Sequence, residues 1–332
     1  MTVEFPTPLV VCDIGGTNTR IAVVTERGGL PKLLAKVRTA DFPDFEAAVA
    51  SVLEAAGVRP ATLVACGAGP VEGRHLTLTN AAWRLDGPAI AQRFGLAQGL
   101  LLNDFEAQAL SLPVIRPDQA LSIGPDLPTG SGPRLVLGPG TGLGVAALLE
   151  ISGRFVALPS EAGHIDIGPV GPEEEELWPR IERFHGRMTA ETLLSGHGLE
   201  RLHAARTGAP IRPEDRHAAA ITTAAVRKPS GHEADSVRQF WRLAGRFAGD
   251  MAITFSATGG VTLAGGILPR LSGLLDAATF RAAFCHKEPV ADLARRIGTR
   301  LLIAPDAVLD GMAAIAFDPA RYAIDYTSRA WR

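Results

Sequence analysis

Lysine, cysteine and net charge are what this 332-residue sequence has least of. Only four of its 33 basic residues are lysine, so arginine carries nearly all the positive charge. The formal net charge is −2, which gives nucleic acid or an anionic membrane surface no footing as a partner. Three cysteines, Cys12, Cys66 and Cys285, are odd in number and scattered. They fit reduced core thiols of a cytoplasmic protein better than disulfides or a zinc site. No apolar run reaches membrane-spanning length. The N-terminus lacks the basic start and unbroken apolar core of a signal peptide, because Asp13 cuts its one apolar run short. Two nucleotide signatures are missing as well. Nothing matches GxxxxGK[ST], and the alternating glycines 138 to 144 carry Leu143 where GxGxxG needs glycine, with no helix directly behind.

What is present is a soluble composition, 46% hydrophobic and 20% charged, on a chain long enough for two domains with cores of their own. The chain is organised around Leu9 to Val24. Apolar runs Leu9–Val11 and Ile21–Val24 flank the polar turn Asp13-Ile14-Gly15-Gly16-Thr17-Asn18-Thr19-Arg20 and read as a strand–turn–strand hairpin. Two adjacent glycines let backbone N–H groups approach a ligand. Thr17 and Asn18 add neutral donors, Arg20 a fixed positive charge, and Asp13 a carboxylate able to hold Mg²⁺ through water. That set makes a phosphate cradle with a metal-side acid, although a tight hairpin with polar tips would look the same. Leu135–Leu148 repeats the design, with Gly140-Thr141 at its turn. Two such hairpins in two halves suggest a duplication with phosphates bound between them.

Strand, helix and turn signals place the remaining candidates. Gly99–Leu102 runs as an apolar strand into Asn103-Asp104 and then a helix. A carboxylate there is either an N-cap or a side chain offered at the carboxyl edge of a sheet, where ligands of α/β proteins collect. Pro113–Pro133 has the proline and glycine content of an interdomain connection. Glu161 and His164, separated by two small residues, can face one small ligand or merely bond each other; a single His with carboxylates is no zinc set. The acidic run Glu173–Glu176 reads as a solvated helix start. Glu191 sits near a helix N-terminus, where the dipole alone favours its charge, and Ser195-Gly196-His197-Gly198 reads as the end of that element. Asp235–Phe255 has the 3.6-residue apolar period of a buried helix. Gly265-Gly266, after an apolar strand, would let a ring or ribose lie on backbone, or would serve as a plain β–α turn.

Five segments in this order, CDIGGTNTR, LLNDFEAQAL, LGPGTGLGVA, LPSEAGHIDIG and GGVTLAGGILPR, resemble the bacterial glucokinase family of the sugar-kinase, Hsp70 and actin superfamily. The resemblance covers nearly the whole chain. It implies an α/β, two-domain actin-like ATPase (ribonuclease H-like) fold with a cleft between domains. The small domain would be 1–113 plus 306–332 and the large one 114–305. It further implies transfer of the γ-phosphoryl of ATP to the 6-hydroxyl of D-glucose, with Mg²⁺ assistance, in a cytoplasmic homodimer. Cys12, Asp13, Ile14, Gly15, Gly16, Thr17, Asn18 and Arg20 would form the first phosphate segment, Gly140 and Thr141 the second. Gly265 and Gly266 would serve the adenosine. Asn80, Asn103, Asp104, Glu161, His164 and Glu191 would bind the sugar, with Asp104 doubling as general base. Ala162 and Pro139 depart slightly from the family pattern and bear only on sugar preference. The related repressor/ORF/kinase group usually carries a cysteine-rich zinc motif after a sugar-contacting His, and nothing after His164 or His185 supplies it. A kinase for mannose, fructose or N-acetylmannosamine is the neighbouring alternative. A non-catalytic sugar-sensing homologue would need a partner- or DNA-binding appendage, and with the hairpin starting at Leu9 none is expected ahead of it.

Overall fold

The structure, a computed structural model, describes residues 3–79, 81–208 and 218–331. Leu9–Ile14 (β1) and Asn18–Val24 (β2) form an antiparallel hairpin that pairs Asp13 with Arg20 and Ile14 with Thr19. A pleated strand sends alternate side chains to opposite faces. Val10, Cys12 and Ile14 therefore enter one core with Phe45, Val49 and Leu53, while Asp13 leaves on the other side. Lys32–Arg38 (β3) pairs with β2, and Phe45–Ala56 (α1) begins at Asp44, whose carboxylate accepts the Ala47 N–H at 2.6 Å. Thr62–Gly67 (β4) runs parallel to β1. Val71–Glu72 (β5), His75–Thr77 (β6) and Arg84–Asp86 (β7) make a separate small sheet ahead of Gly87–Phe94 (α2). Gln98–Asn103 (β8) then lies parallel to β4 and passes without a loop into Asp104–Ser111 (α3). The resulting sheet has the order β3-β2-β1-β4-β8.

The second sheet repeats that plan. It is built from Ala120–Ser122 (β9), Arg134–Pro139 (β10), Leu143–Ile151 (β11) and Arg154–Ser160 (β12). Helices Pro172–Leu177 (α4), Ala190–Leu193 (α5), Gly196–Thr207 (α6), Ala218–Arg227 (α7) and His232–Thr254 (α8) follow. Val261–Leu263 (β13), Leu268–Leu271 (α9) and Thr299–Leu302 (β14) complete it, in the order β12-β11-β10-β13-β14-β9. In each sheet a hairpin flanks a central strand, and two parallel strands lie on its other side. Helix α8 buries Val237, Phe240, Trp241, Ala244, Phe247 and Met251, so its aromatics are core. The acidic run is not solvated throughout: Glu174 is 3% exposed, and its carboxylate accepts the Val170 N–H and pairs with Arg242 and Arg246. None of the described helices is long and apolar enough to cross a membrane.

The chain divides into two compact units. Unit 1 is Met1–Arg116, Leu148–Leu158 and Ala304–Arg332; unit 2 is Pro117–Ala147 and Pro159–Ile303. Residues 148–158, which the resemblance puts in the large domain 114–305, group with unit 1. There the Phe155 carbonyl accepts the Ala323 N–H at 2.8 Å, and its ring lies 5.7 Å from that of Tyr322. The last long helix of unit 1, Ala307–Phe317, packs against α3 and β1. A Cβ on its Gly311 would stand 2.2 Å from Ser111 Cβ of α3. Gly311→Ala is accordingly expected to lower stability by about 1–3 kcal/mol, the scale of overpacking. A urea titration reads it, and an unchanged midpoint would mean the two helices part freely.

Candidate functional site

In unit 1 the first glycine turn is shaped by its own backbone. The Gly15 N–H donates to the Asn18 carbonyl at 3.0 Å, and the Thr17 carbonyl accepts the Thr39 N–H. The buried Thr39 hydroxyl donates to the Gly15 carbonyl at 2.7 Å and lies 3.1 Å from the Thr19 hydroxyl. Gly16 and Thr17 are left exposed at the tip, where their N–H groups can meet an anion. Asp13 Oδ2 accepts Arg20 Nε and Nη2 at 3.1 and 2.6 Å, and Asp13 Oδ1 accepts the Cys66 thiol at 3.5 Å. Arg20 Nη1 donates to the Pro305 carbonyl at 2.9 Å.

Asp104 stands at the end of β8 as the first residue of α3. Asn103 is the cap: its Oδ1 accepts the N–H groups of Phe105 and Glu106, and Glu106 accepts the Asn103 N–H in return. Asn103 Nδ2 also donates to the Gly69 carbonyl. Because the neighbour does the capping, the Asp104 side chain is free to project, held by the Phe105 N–H on Oδ1 at 2.9 Å and, more weakly, by its own N–H and the Asn103 side chain. Burial pushes the Asp104 carboxyl up to about 6; the Phe105 N–H pulls it back, and the charge of Asp13 pushes with burial. That suits a proton acceptor working near neutrality.

Unit 2 holds the second glycine turn. The Gly140 N–H donates to the Gly142 carbonyl at 2.7 Å and leaves Thr141 exposed. Its Gly140 carbonyl accepts the Gly196 N–H, so the start of α6 docks on the turn. Gly265, with φ 91°, lies against the Pro139 carbonyl, which a Cβ would approach to 2.4 Å. Only glycine takes that backbone and that gap. Glu191 and His164 come together, with Nδ1 3.9 Å from Glu191 Oε1, and His164 Nε2 is 3.6 Å from Glu161 Oε2. Glu191 Oε2 also accepts the Leu143 N–H at 2.8 Å.

Several sequence-based assignments change. Cys12 and Ile14 are buried in the core, so only their backbone is near the turn, and burial pushes the Cys12 thiol far up. Arg20 is partly committed, since Asp13 and the Pro305 carbonyl take three of its five N–H donors. Asn80 lies outside the described residues. Ser195 does not end an element; its hydroxyl caps α6 by accepting the Gly198 N–H at 3.0 Å. Thr39 and Cys66 escaped the sequence because their partners lie far away in the chain, whereas Ser195 carried a signal, a small hydroxyl three residues ahead of an N–H it can cap. For Mg²⁺, Asp13 fits a contact through water, which one bare lone pair can take. Direct ligation does not fit a carboxylate whose Oδ2 is held by a guanidinium. Among the described residues no three metal-ligating side chains gather.

The chain as a whole is similar to known proteins. The family model described as Glucokinase matches residues 10–318. The chain is 40% identical over 333 residues to a protein named Glucokinase from Rhizobium meliloti (strain 1021), covering 99% of this chain and 98% of that one. Among solved structures, a glucokinase from an Antarctic psychrotroph superposes with a TM-score of 0.80 at 28% identity, over 93% of this chain and 98% of that one. A Balamuthia mandrillaris glucokinase in complex with glucose gives a TM-score of 0.77 at 24% identity over 93% of each chain, which speaks to fold.

Proposed function

The chain belongs to the glucokinase family, and on that premise we propose that it moves the γ-phosphoryl of ATP to the 6-hydroxyl of D-glucose with Asp104 as base. The observation that carries the reading is the Asp104 carboxylate, free of capping duty at a strand's carboxyl end and raised to about 6. A primary alcohol is too weak an acid to ionise by itself near neutrality. Asp104 can accept a hydrogen bond from the 6-hydroxyl, align its oxygen for attack, and take the proton as the oxygen–phosphorus bond forms. The γ-phosphorus–oxygen bond to ADP breaks in the same displacement, and ADP carries the released charge.

Phosphoryl transfer asks mainly for alignment and neutralisation of charge. In the turns Gly15–Asn18 and Gly140-Thr141 the exposed Gly16, Thr17 and Thr141 offer N–H groups and hydroxyls for the phosphates, while the N–H groups of Gly15 and Gly140 close the turns themselves, and Gly265-Gly266 gives the adenosine a surface without side chains. Asp13 would hold Mg²⁺ through water, and the ion would supply positive charge to offset that of the transferring group. Arg20 acts one step back, fixing Asp13. Glu161, His164 and Glu191 accept and donate to the ring hydroxyls of the sugar, and Asp104 takes its 6-hydroxyl. Polar groups left unpaired by a wrong hydroxyl pattern weaken that substrate by several kcal/mol.

A coupled ADP-release assay with glucose, mannose, fructose and N-acetylmannosamine, with and without Mg²⁺, tests this. Glucose is expected to have a kcat/KM at least about tenfold above the other sugars, and activity is expected to vanish without Mg²⁺. A higher kcat/KM for another hexose would reassign the substrate. The family reading also carries a homodimer, checked by size-exclusion chromatography with light scattering, and a cytoplasmic location.

A further inference from the structure

We propose that Glu191 is a positioning residue for the second glycine turn, setting the backbone shape that receives the donor's phosphates whether or not a sugar is bound. The inference rests on the kinase reading only in taking Gly140-Thr141 as a phosphate-binding turn.

The turn is held at both ends by one short stretch of chain. At its far end the Leu143 N–H donates to Glu191 Oε2 at 2.8 Å. At its near end the Gly140 carbonyl accepts the Gly196 N–H at 2.9 Å. Glu191 and Gly196 are themselves tied: the Ser195 hydroxyl donates to the Glu191 carbonyl at 2.9 Å while accepting the Gly198 N–H. Glu191 sits on a single helical turn, α5, fastened by the buried Thr189 and Thr192, whose hydroxyls and N–H groups bond each other reciprocally. A carboxylate mounted on so short and well-anchored an element has little freedom to swing away.

The fit against the turn is close. A Cβ on Gly142 would stand 2.4 Å from Glu191 Oε2, so the missing side chain leaves the space the carboxylate fills. From the other side Gly163 lies on Leu143, where a Cβ would come within 2.2 Å of the Leu143 carbonyl. A hydrogen bond from a neutral N–H to a carboxylate is stronger than one between neutral groups. Glu191 therefore fixes the Gly142–Leu143 peptide, whose carbonyl accepts the Gly140 N–H and closes the turn around the exposed Thr141, so the backbone that faces the phosphates is in place before the nucleotide arrives. Such preorganisation raises affinity by removing an ordering penalty. Contact with a ring hydroxyl alone would give Glu191 no influence on nucleotide binding in the absence of sugar.

The experiment is isothermal titration of the full-length protein with ADP, no sugar present. Glu191→Ala is expected to weaken ADP binding about five- to tenfold, the scale of one lost charge-assisted hydrogen bond. Glu191→Gln keeps an oxygen for the Leu143 N–H and is expected to stay within about twofold of wild type for ADP while losing glucose affinity. ADP affinity in Glu191→Ala equal to wild type would overturn the proposal, and so would equal losses in the Ala and Gln variants. If Glu191→Ala does not fold, Gly142→Ala replaces it, since its methyl displaces the carboxylate: weaker ADP binding supports the proposal and unchanged binding overturns it. A wild type that binds ADP yet phosphorylates no hexose would end the kinase reading and leave this comparison readable. A wild type that binds no ADP would end both.

Discussion

Asp104→Asn is expected to lower kcat by about 10²–10⁴ while making the protein more heat-stable at pH 7.5. The two effects have one origin. A folded-state carboxyl raised to about 6, against 3.8 for an unperturbed aspartate, binds its proton more tightly folded than unfolded. Between those values the folded state keeps a proton that the unfolded chain has lost, so this group favours folding increasingly as the pH drops. Above about 6 the group is ionised in both states, and its buried charge beside Asp13 counts against the fold. Asparagine removes that charge, keeps the shape, and can still accept a hydrogen bond from the 6-hydroxyl, but it cannot take the proton. The expected gain in Tm at pH 7.5 is about 2–4 °C, shrinking toward zero near pH 4. The wild-type kcat/KM should fall about tenfold per pH unit below about 6, where the base is protonated. Steady-state kinetics over a range of glucose concentrations and pH, with circular-dichroism melts at pH 7.5 and near pH 4, read all of this. A kcat within tenfold of wild type would remove Asp104 from the base role, and a lower Tm at pH 7.5 would mean that the hydrogen bonds to its ionised form, from Phe105, Asn103 and its own N–H, outweigh the cost of its burial.

The parts of this site that sequence reading reaches are those set by local pattern. Apolar runs on either side of Gly15-Gly16 define a hairpin, and a strand running into Asn103-Asp104 defines a carboxylate at a sheet edge, because both depend on a dozen consecutive residues. Cys12 was within reach too: if Asp13 faces a ligand, strand alternation turns Cys12 away from it. Arg20 was harder. Its pairing with Asp13 follows only when the turn length, and so the register, is known. Glu174 shows the real limit. Its three acidic neighbours look identical in sequence, and what buries it is Arg242 and Arg246, some seventy residues further on. Gly196 and Gly198 read as a stop because glycine weakens helices, yet here both lie in the first turn of α6, with Ser195 as cap. Side chains whose partners are distant in the chain carry no local signature, and Thr39, Cys66 and the bond from Leu143 to Glu191 are all of that kind.

Trp331→Ala is expected to cost about 3–5 kcal/mol, the largest stability loss of any single change considered, although nothing in the composition of the C-terminal stretch announces a core residue. Trp331 is 1% exposed. Its backbone exchanges hydrogen bonds with Gly99 of β8 at 3.0 and 3.1 Å, extending that edge of the sheet. Its ring lies directly on Gly87 and Gly99, where a Cβ would come within 2.5 Å of indole atoms. Truncation leaves a cavity over two glycines that have nothing to fill it, so Tm should drop by about 6 °C or more, read by circular dichroism. Trp331→Phe should cost less, because a ring still covers the glycines and the indole N–H it removes has no partner among the described residues. The same segment also reaches the proposed base. Arg329 clamps Glu106 through two nitrogens at 2.7 and 2.8 Å and donates to the Leu101 carbonyl at 2.9 Å. Glu106 in turn accepts the Asn103 N–H, and Asn103 caps the helix on which Asp104 stands. Arg329→Met, which leaves the Trp331 anchor in place, should therefore loosen that cap and lower kcat several-fold at temperatures well below its Tm. Trp331→Ala at those same temperatures should keep kcat within about twofold, because the clamp on Glu106 survives. If both variants lose activity in proportion to stability alone, the tail is an anchor for the sheet and has no hand in placing the base.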